Sequence, residues 1–131
     1  MERVTGIGGI FFASSDPSGL GRWYEEHLGV TPPPHSYDTP PWWQEQGPTV
    51  FAGMDSDSPA LASGRAWAVN FRVRNLDAMV AQLEAAGIHV ERDPEEYPNG
   101  TFAGLHDPEG NPIQLWQPAG ADLGRPEAGE G

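Results

Sequence analysis

Few residues of this chain have side chains that could catalyse a reaction or bind a metal ion. The chain contains no cysteine, which excludes disulfides, thiolate metal sites and cysteine nucleophiles. Of its four histidines, His106 alone opens a segment that could build a site, HDPEGNPIQLWQP at 106–118. That segment predicts a tight turn and then a strand, with Gln114 near the middle of the strand. A carboxylate at such a position could bind a metal, whereas a single histidine and a neutral amide do not predict a metal site.

Composition and charge restrict the partners of the chain. Its 131 residues, of which 37% are hydrophobic, suffice for one domain with its own core. The formal net charge of −12 repels phosphate backbones, so we expect no nucleic-acid partner. Arg65, Arg72 and Arg74 could line a small-anion site, although solvated strand ends are the favoured interpretation. We see no secretion signal or membrane-spanning segment and therefore expect a soluble cytoplasmic protein.

The pattern of apolar residues predicts two similar units, of which the first occupies about residues 1–60. It opens with an apolar, aromatic strand at 4–14. A helix follows, in which Asp16 is the predicted N-cap and Gly29 the stop. A proline-rich link then leads to two short predicted strands, WWQEQ and PTVFAG.

The second unit, residues 61–118, repeats this order. A strand at 65–73 alternates with period two, and the helix NLDAMVAQLEAAGI at 75–88 follows. Three further strands are predicted, in the segments HVERD, TFAGLH and PIQLWQ. Strand, helix and three strands therefore occur twice, with little sequence identity left between the two units.

Two turns delimit the strands of the second unit. Asn99-Gly100 is a strong hairpin signal. In DPEGN, we expect Asp107 and Glu109 to lie in a solvated turn, because the oxygen-rich loop that calcium needs is missing. The last segment, 119–131, has almost no apolar residues and predicts a flexible tail.

This repeated order resembles the vicinal oxygen chelate superfamily, which includes glyoxalase I, extradiol dioxygenases and bleomycin-binding proteins. The resemblance covers residues 4–118. It is carried by GIGGIFFASSDPSGLGRWYEEHLGV, VNFRVRNLDAMVAQLEAAGI and GLHDPEGNPIQLWQP. It implies an α+β, glyoxalase/bleomycin-resistance-like fold in which two βαβββ modules form a curled mixed sheet around a cleft. It also implies a homodimer and a divalent metal in the cleft, held by His, Glu or Gln of the first and last strands.

The positions that the resemblance assigns to metal ligands have lost their donors. Seven residues before each helix cap stand Gly9 and Ala68, and PTVFAG offers no His, Glu or Asp. Gln114 takes the place of the usual glutamate. One amide cannot hold a divalent ion that needs three or four ligands, so we predict a chain without a metal cofactor.

Strand alternation then decides which side chains line the cleft. The expected core on the opposite face comprises Ile10, Phe12, Trp67, Val69, Phe71, Ile113 and Leu115. The predicted ligand-binding residues are Phe11, Trp42, Trp43, Asn70, Arg72, His106, Gln114 and Trp116. Weaker candidates are Phe51, Tyr97 and Phe102.

An aromatic lining with a few polar groups is typical of a small-molecule site, although the tryptophans could equally fill a core or an interface. The favoured function is therefore metal-free binding of an aromatic or drug-like ligand. Two alternatives remain open. One is a metal-dependent lyase, isomerase or dioxygenase, and the other is a metal-free enzyme with His106, Glu45 or Tyr97 as general base.

Overall fold

Both predicted helices form, and each begins at the residue that caps it. The computed structural model describes residues 1–61 and 64–124. Helix α1 spans Pro17–Leu28, and the Asp16 carboxylate accepts a 3.1 Å hydrogen bond from the backbone of its first turn. Gly29 ends α1 in the left-handed conformation, with φ 74°. Helix α2 spans Leu76–Ala85 and is capped by Asn75 in the same way.

Four strands form one mixed sheet. They are β1 (Val69–Arg72), β2 (Glu91–Arg92), β3 (Gly100–His106) and β4 (Pro112–Pro118), in the spatial order β1-β4-β3-β2. β1 runs parallel to β4, while β3 is antiparallel to both of its neighbours. The strand, helix and three strands predicted for the second unit are thus confirmed, and β1 and β2 are shorter than predicted. The fold class is α+β.

Both helices cover the same face of this sheet. Leu76, Val80 and Leu83 of α2 are buried against Ile113 and Leu115 of β4. Trp23, Tyr24, Leu28 and Phe71 pack around this cluster. In the described ranges 1–61 and 64–124, neither helix is both long enough and apolar enough to cross a membrane.

The first unit forms its helix without its predicted strands. Residues 4–14 and the segments WWQEQ and PTVFAG are not strands, and no strand lies in 1–61 or 64–68. Strands need a neighbouring edge for their backbone groups, and residues 4–14 pair with none. Six prolines between residues 31 and 48 further remove backbone donors. Consequently Ile10, Phe12 and Trp67, three of the expected core residues, are exposed.

The DPEGN turn connects α1 to the sheet, and the prediction that it is solvated is wrong for Asp107, whereas Pro108 is exposed and Glu109 is partly exposed. Asp107 is 4% exposed and accepts a 2.7 Å hydrogen bond from the Tyr24 hydroxyl of α1. The Glu109 carboxylate accepts hydrogen bonds from the Ser14 hydroxyl at 2.7 Å and the Ser15 backbone at 2.9 Å. The start and the middle of α1 are therefore both fixed to this turn, and Asp107 is removed from solvent.

The chain after β4 makes one further turn. Gly120–Leu123 forms a single 3-10 helix. Most of the predicted flexible tail, residues 125–131, lies outside the described residues.

Candidate ligand-binding face

The sheet has a second face that no helix covers, and we call it the open face. The strand register places Asn70 beside Gln114 and Arg72 beside Trp116, so these four predicted binding residues share it. His106, at the end of β3, faces the same way because it pairs with Pro112. The open face therefore includes Asn70, Arg72, Glu91, Phe102, Gly104, His106, Gln114 and Trp116.

Two amides lie in contact at the centre of the open face. The Asn70 Nδ2 donates a 2.7 Å hydrogen bond to the Gln114 Oε1. This bond leaves the Asn70 carbonyl as an acceptor and the Gln114 NH₂ as a donor, and both residues are exposed. Gly104 pairs with Gln114 on the next strand and provides no side chain. The pair can therefore exchange hydrogen bonds with a carbonyl or hydroxyl group lying over the sheet.

Three aromatic rings form a row beside the amides. Phe102 and Trp116 are parallel, with centroids 6.2 Å apart and an interplanar angle of 1°. Tyr97 meets the edge of Phe102 at 5.7 Å and 72°. Trp116 is only 2% exposed, and its indole Nε1 donates to the Asn99 carbonyl at 2.9 Å. Trp116 is thus the fixed base of the row, while Tyr97 and Phe102 form its accessible end.

A shallow cavity of about 240 Å³ lies at the accessible end of this row. It is lined by Asp93, Tyr97, Asn99, Phe102 and Gln114. Only Gln114 was among the main predicted binding residues, with Tyr97 and Phe102 weaker candidates and Asp93 and Asn99 missed. Asn99 belongs to the predicted Asn99-Gly100 hairpin, and Asp93 lies on the strand side that precedes it. Placing that hairpin against Gln114 could therefore have found both residues. Small-molecule sites usually exceed about 300 Å³, so this cavity holds only part of a drug-sized ligand.

The hydroxyl group of Tyr97 is held in its protonated form. It donates a 2.9 Å hydrogen bond to the Asp93 carboxylate, and this bond, ahead of burial and of the neighbouring negative charge, raises the pKa of Tyr97 above its ordinary value. A phenol with a raised pKa is neutral at physiological pH. Tyr97 therefore suits a ligand-stacking role better than the role of general base.

The three arginines do not form one anion site, because Arg65 lies at the DPEGN turn whereas Arg72 and Arg74 both contact Glu45. Arg65 donates to the side chain of Asn111 and to the backbone of Glu109, in the DPEGN turn. Arg74 forms an ion pair with the Glu45 carboxylate. Arg72 alone lies on the open face.

The remaining aromatic candidates lie apart from this row. Phe11 is 97% exposed and Trp43 is 83% exposed, and Trp42 is also an exposed side chain. None of the three forms an aromatic pair with another described ring. His106 lies at one corner of the open face, exposed to solvent.

The donor set of the described residues does not fit a metal ion. No group of three or more His, Cys, Asp or Glu side chains in 1–61 and 64–124 lies close enough together to hold one. The superfamily's ligand positions carry Gly9, Ala68 and Gln114, of which only Gln114 lies on a strand, and the Gln114 oxygen already accepts from Asn70. Divalent ions need three or four donors, usually with negative charge. These residues therefore provide no site for metal-dependent chemistry.

Comparisons with known proteins agree on one kind of domain. The sequence profile of the Glyoxalase-like domain matches residues 9–116. The anthracycline biosynthesis protein DnrV of Streptomyces peucetius is 33% identical over 114 residues, which are 82% of this chain and 41% of that protein. The chain thus spans about two-fifths of the length of this relative.

Two solved structures from Streptomyces sp. CB03234 are also similar. TnmS3, an antibiotic binding protein, is 25% identical with a TM-score of 0.48, over 80% of this chain and 88% of that one. A glyoxalase/bleomycin resistance protein is 37% identical with a TM-score of 0.34, over 37% of this chain and 42% of that one.

Proposed function

The chain belongs to the family of glyoxalase-like domains, and from this premise we propose that it binds a planar aromatic small molecule on its open face without a metal ion. One observation carries the proposal. The row of Tyr97, Phe102 and Trp116 lies directly beside the hydrogen-bonded amides of Asn70 and Gln114. An aromatic ligand with polar substituents requires a flat apolar surface next to groups that can still form hydrogen bonds, and the two amides are such groups.

The aromatic row supplies most of the binding energy in this proposal. Stacked or edge-to-face rings contribute about 0.5–1.5 kcal/mol beyond simple burial. Apolar area removed from water adds roughly 25 cal/mol per Å². Ordering the Trp116 side chain on ligand binding costs little free energy, because the Asn99 carbonyl already holds its indole. The amides then fix the orientation of the ligand.

The matched relative supports an aromatic ligand. Its name places it in the biosynthesis of anthracyclines, which are planar polycyclic aromatic compounds. A ligand of that shape suits a flat face better than a deep pocket. Since the chain covers 41% of that relative, only the domain and not the whole activity of the relative supports the proposal.

The tyrosine of the row gives the direct test. Replacing Tyr97 with alanine should weaken binding of a planar aromatic probe, such as anthraquinone-2-carboxamide, by about tenfold, because one stacking wall is lost. Quenching of tryptophan fluorescence measures the affinity. Tyr37→Ala is the matched control, since Tyr37 is fully exposed and outside the open face. EDTA should leave the affinity unchanged. Equal affinities of the two variants, or loss of binding in EDTA, contradict the proposal.

We also propose that the protein is a homodimer. One chain builds one βαβββ unit, from β1 to β4, whereas the resemblance implies two modules around a cleft. The chain before β1 meanwhile exposes large apolar side chains that a soluble monomer rarely leaves uncovered. They are Ile10, Phe11, Phe12, Trp43, Phe51 and Trp67. A second copy that covers them would enclose a larger site than the cavity of one chain.

Sedimentation velocity tests the dimer. The unmodified protein should sediment as a dimer, and the combined change of Phe11 and Trp43 to serine should shift it to a monomer, because exposed aromatic anchors dominate such interfaces. Both side chains are exposed in one chain, so the fold should survive. Tyr37→Ser should remain dimeric. A monomeric unmodified protein, or a double variant that is still a dimer, would show that this surface does not join two copies.

A further inference from the structure

We infer that Arg72 selects ligands with a negatively charged group, so that the molecules bound by the open face are aromatic anions. This inference rests on the proposed function and names its ligand class. Arg72 lies on β1 two residues from Asn70, and beside Trp116 in the strand register. A guanidinium at that place reaches any ligand that stacks on the row and contacts the amides.

The charge of Arg72 is solvated by its own chain but not neutralised. Its guanidinium donates to the backbone carbonyls of Pro48 at 2.5 Å and Glu45 at 2.6 Å, and to the Thr49 hydroxyl at 3.3 Å. These are neutral acceptors, and no carboxylate of residues 1–61 or 64–124 forms an ion pair with Arg72. Three hydrogen bonds use at most three of its five N–H groups. A carboxylate could therefore still bind to it.

Two acidic residues near the open face, Glu45 and Asp93, contact other groups, and a third, Glu91, lies on β2 at the edge of the sheet opposite Arg72. The Glu45 carboxylate pairs with Arg74, so this local group of two arginines and one glutamate keeps a net positive charge. Asp93, at the opposite edge of the sheet, accepts from the Tyr97 hydroxyl and from the backbone of Glu95. In a chain with a net charge of −12, the open face thus has a cationic edge at β1. An anionic ligand is oriented with its charge at that edge.

The spacing across the strands sets the length of the ligand. Arg72 pairs with Trp116, and Trp116 pairs with Phe102 on the next strand. Two strand spacings separate Arg72 from Phe102, which is about 10 Å. A ligand of about three fused rings spans this distance, with one end over Phe102 and an acidic group at the other. An acid with a single ring would contact either Arg72 or Phe102, but not both.

A pair of probes that differ in charge alone tests the inference. Anthraquinone-2-carboxylate and its neutral carboxamide have nearly the same shape. The unmodified protein should bind the carboxylate about tenfold more tightly than the carboxamide. Added NaCl should reduce this preference, because the ion pair between Arg72 and the carboxylate is partly exposed. Arg72→Gln should remove the preference, so that the affinity for the carboxylate falls about tenfold relative to the affinity for the carboxamide. Arg72→Lys keeps the positive charge and loses the planar guanidinium group, so this variant should retain part of the preference for the carboxylate.

Arg92→Gln is the matched control. It removes one positive charge from the same sheet, but Arg92 pairs with Asp77 on the helix-covered face, so the preference should persist. Equal binding of the two probes by the unmodified protein overturns the inference and leaves the proposed function standing. A preference that survives Arg72→Gln also overturns it. Failure of both probes to bind overturns the inference and the proposed function together.

Discussion

Replacing Gly100 with alanine should lower the free energy of unfolding by about 3 kcal/mol or more. Gly100 begins β3 with φ 135°, in a region that residues with a side chain rarely adopt. A Cβ atom there would lie 2.1 Å from the Gln117 carbonyl oxygen and 2.8 Å from the Trp116 indole nitrogen. The added methyl group would clash with backbone atoms on one side and with a buried ring on the other, and neither can move aside easily.

Gly53→Ala is the control for this substitution. A Cβ on Gly53 meets no atom within 4 Å, and its φ is not in the left-handed region, so stability should change by less than about 1 kcal/mol. Urea denaturation measures both variants. Gly100→Ala should also weaken binding of the anthraquinone probes, because it displaces the Trp116 ring. If the two alanine variants are equally stable, the hairpin does not have the close contact that the structure shows.

The hairpin at Gly100 also illustrates what the sequence can predict. Asn99-Gly100 indicates a turn through local chemistry, and the turn forms one residue earlier, at Pro98-Asn99, with Gly100 already paired in β3. Period-two alternation orients Gln114 and Trp116 on β4. Both predictions needed only neighbouring residues, and the register confirms that these two residues share a face with Asn70 and Arg72. Helix caps at Asp16 and Asn75 were predictable for the same reason.

Features that depend on distant contacts could not be predicted in this way. Apolar alternation in residues 4–14 indicates a strand, but a strand also needs an edge to pair with, and that edge is not given by the segment itself. Trp116 was expected in the cleft, yet the Asn99 carbonyl and Phe102 hold it as a nearly buried base. Phe102 and Tyr97 became central through the pairing of β3 with β4, which places them beside Trp116.

The DPEGN turn is the clearest case of a distant contact. Its sequence predicts a turn and says nothing about Tyr24, which lies 83 positions earlier. Asp107 changes from a turn former to a buried anchor only because α1 packs over it.

Replacing Asp107 with asparagine should lower the free energy of unfolding by about 2–4 kcal/mol. The carboxylate accepts four hydrogen bonds: from the backbones of Glu109 and Asn111, from the Asn111 Nδ2 at 2.7 Å and from the Tyr24 hydroxyl at 2.7 Å. An amide of the same shape must turn an N–H₂ group toward one pair of these donors. At 4% exposure, water cannot compensate for the lost acceptor.

Asp57→Asn and Tyr24→Phe complete the experiment. Asp57 is exposed, so its variant should differ from the unmodified protein by less than about 0.5 kcal/mol. Tyr24→Phe removes one donor, and its effect should shrink in the Asp107→Asn background if the two side chains act as a pair. Denaturation monitored by circular dichroism measures all five proteins: the unmodified one, the three single variants and the double variant. Additive effects would show that α1 is not held through this hydrogen bond.

The pH dependence of stability tests whether the Tyr24 hydroxyl is buried and hydrogen-bonded in the folded protein. Burial, and then the hydrogen bond to Asp107, raise the pKa of Tyr24 far above its ordinary value of 10.0. A group whose pKa is raised by folding stabilises the protein below its unfolded pKa, and this contribution is lost as the pH rises above it. Stability should therefore fall above about pH 10 in the unmodified protein and fall less in Tyr24→Phe. Identical alkaline profiles of the two proteins would show that the Tyr24 hydroxyl is neither buried nor hydrogen-bonded to Asp107.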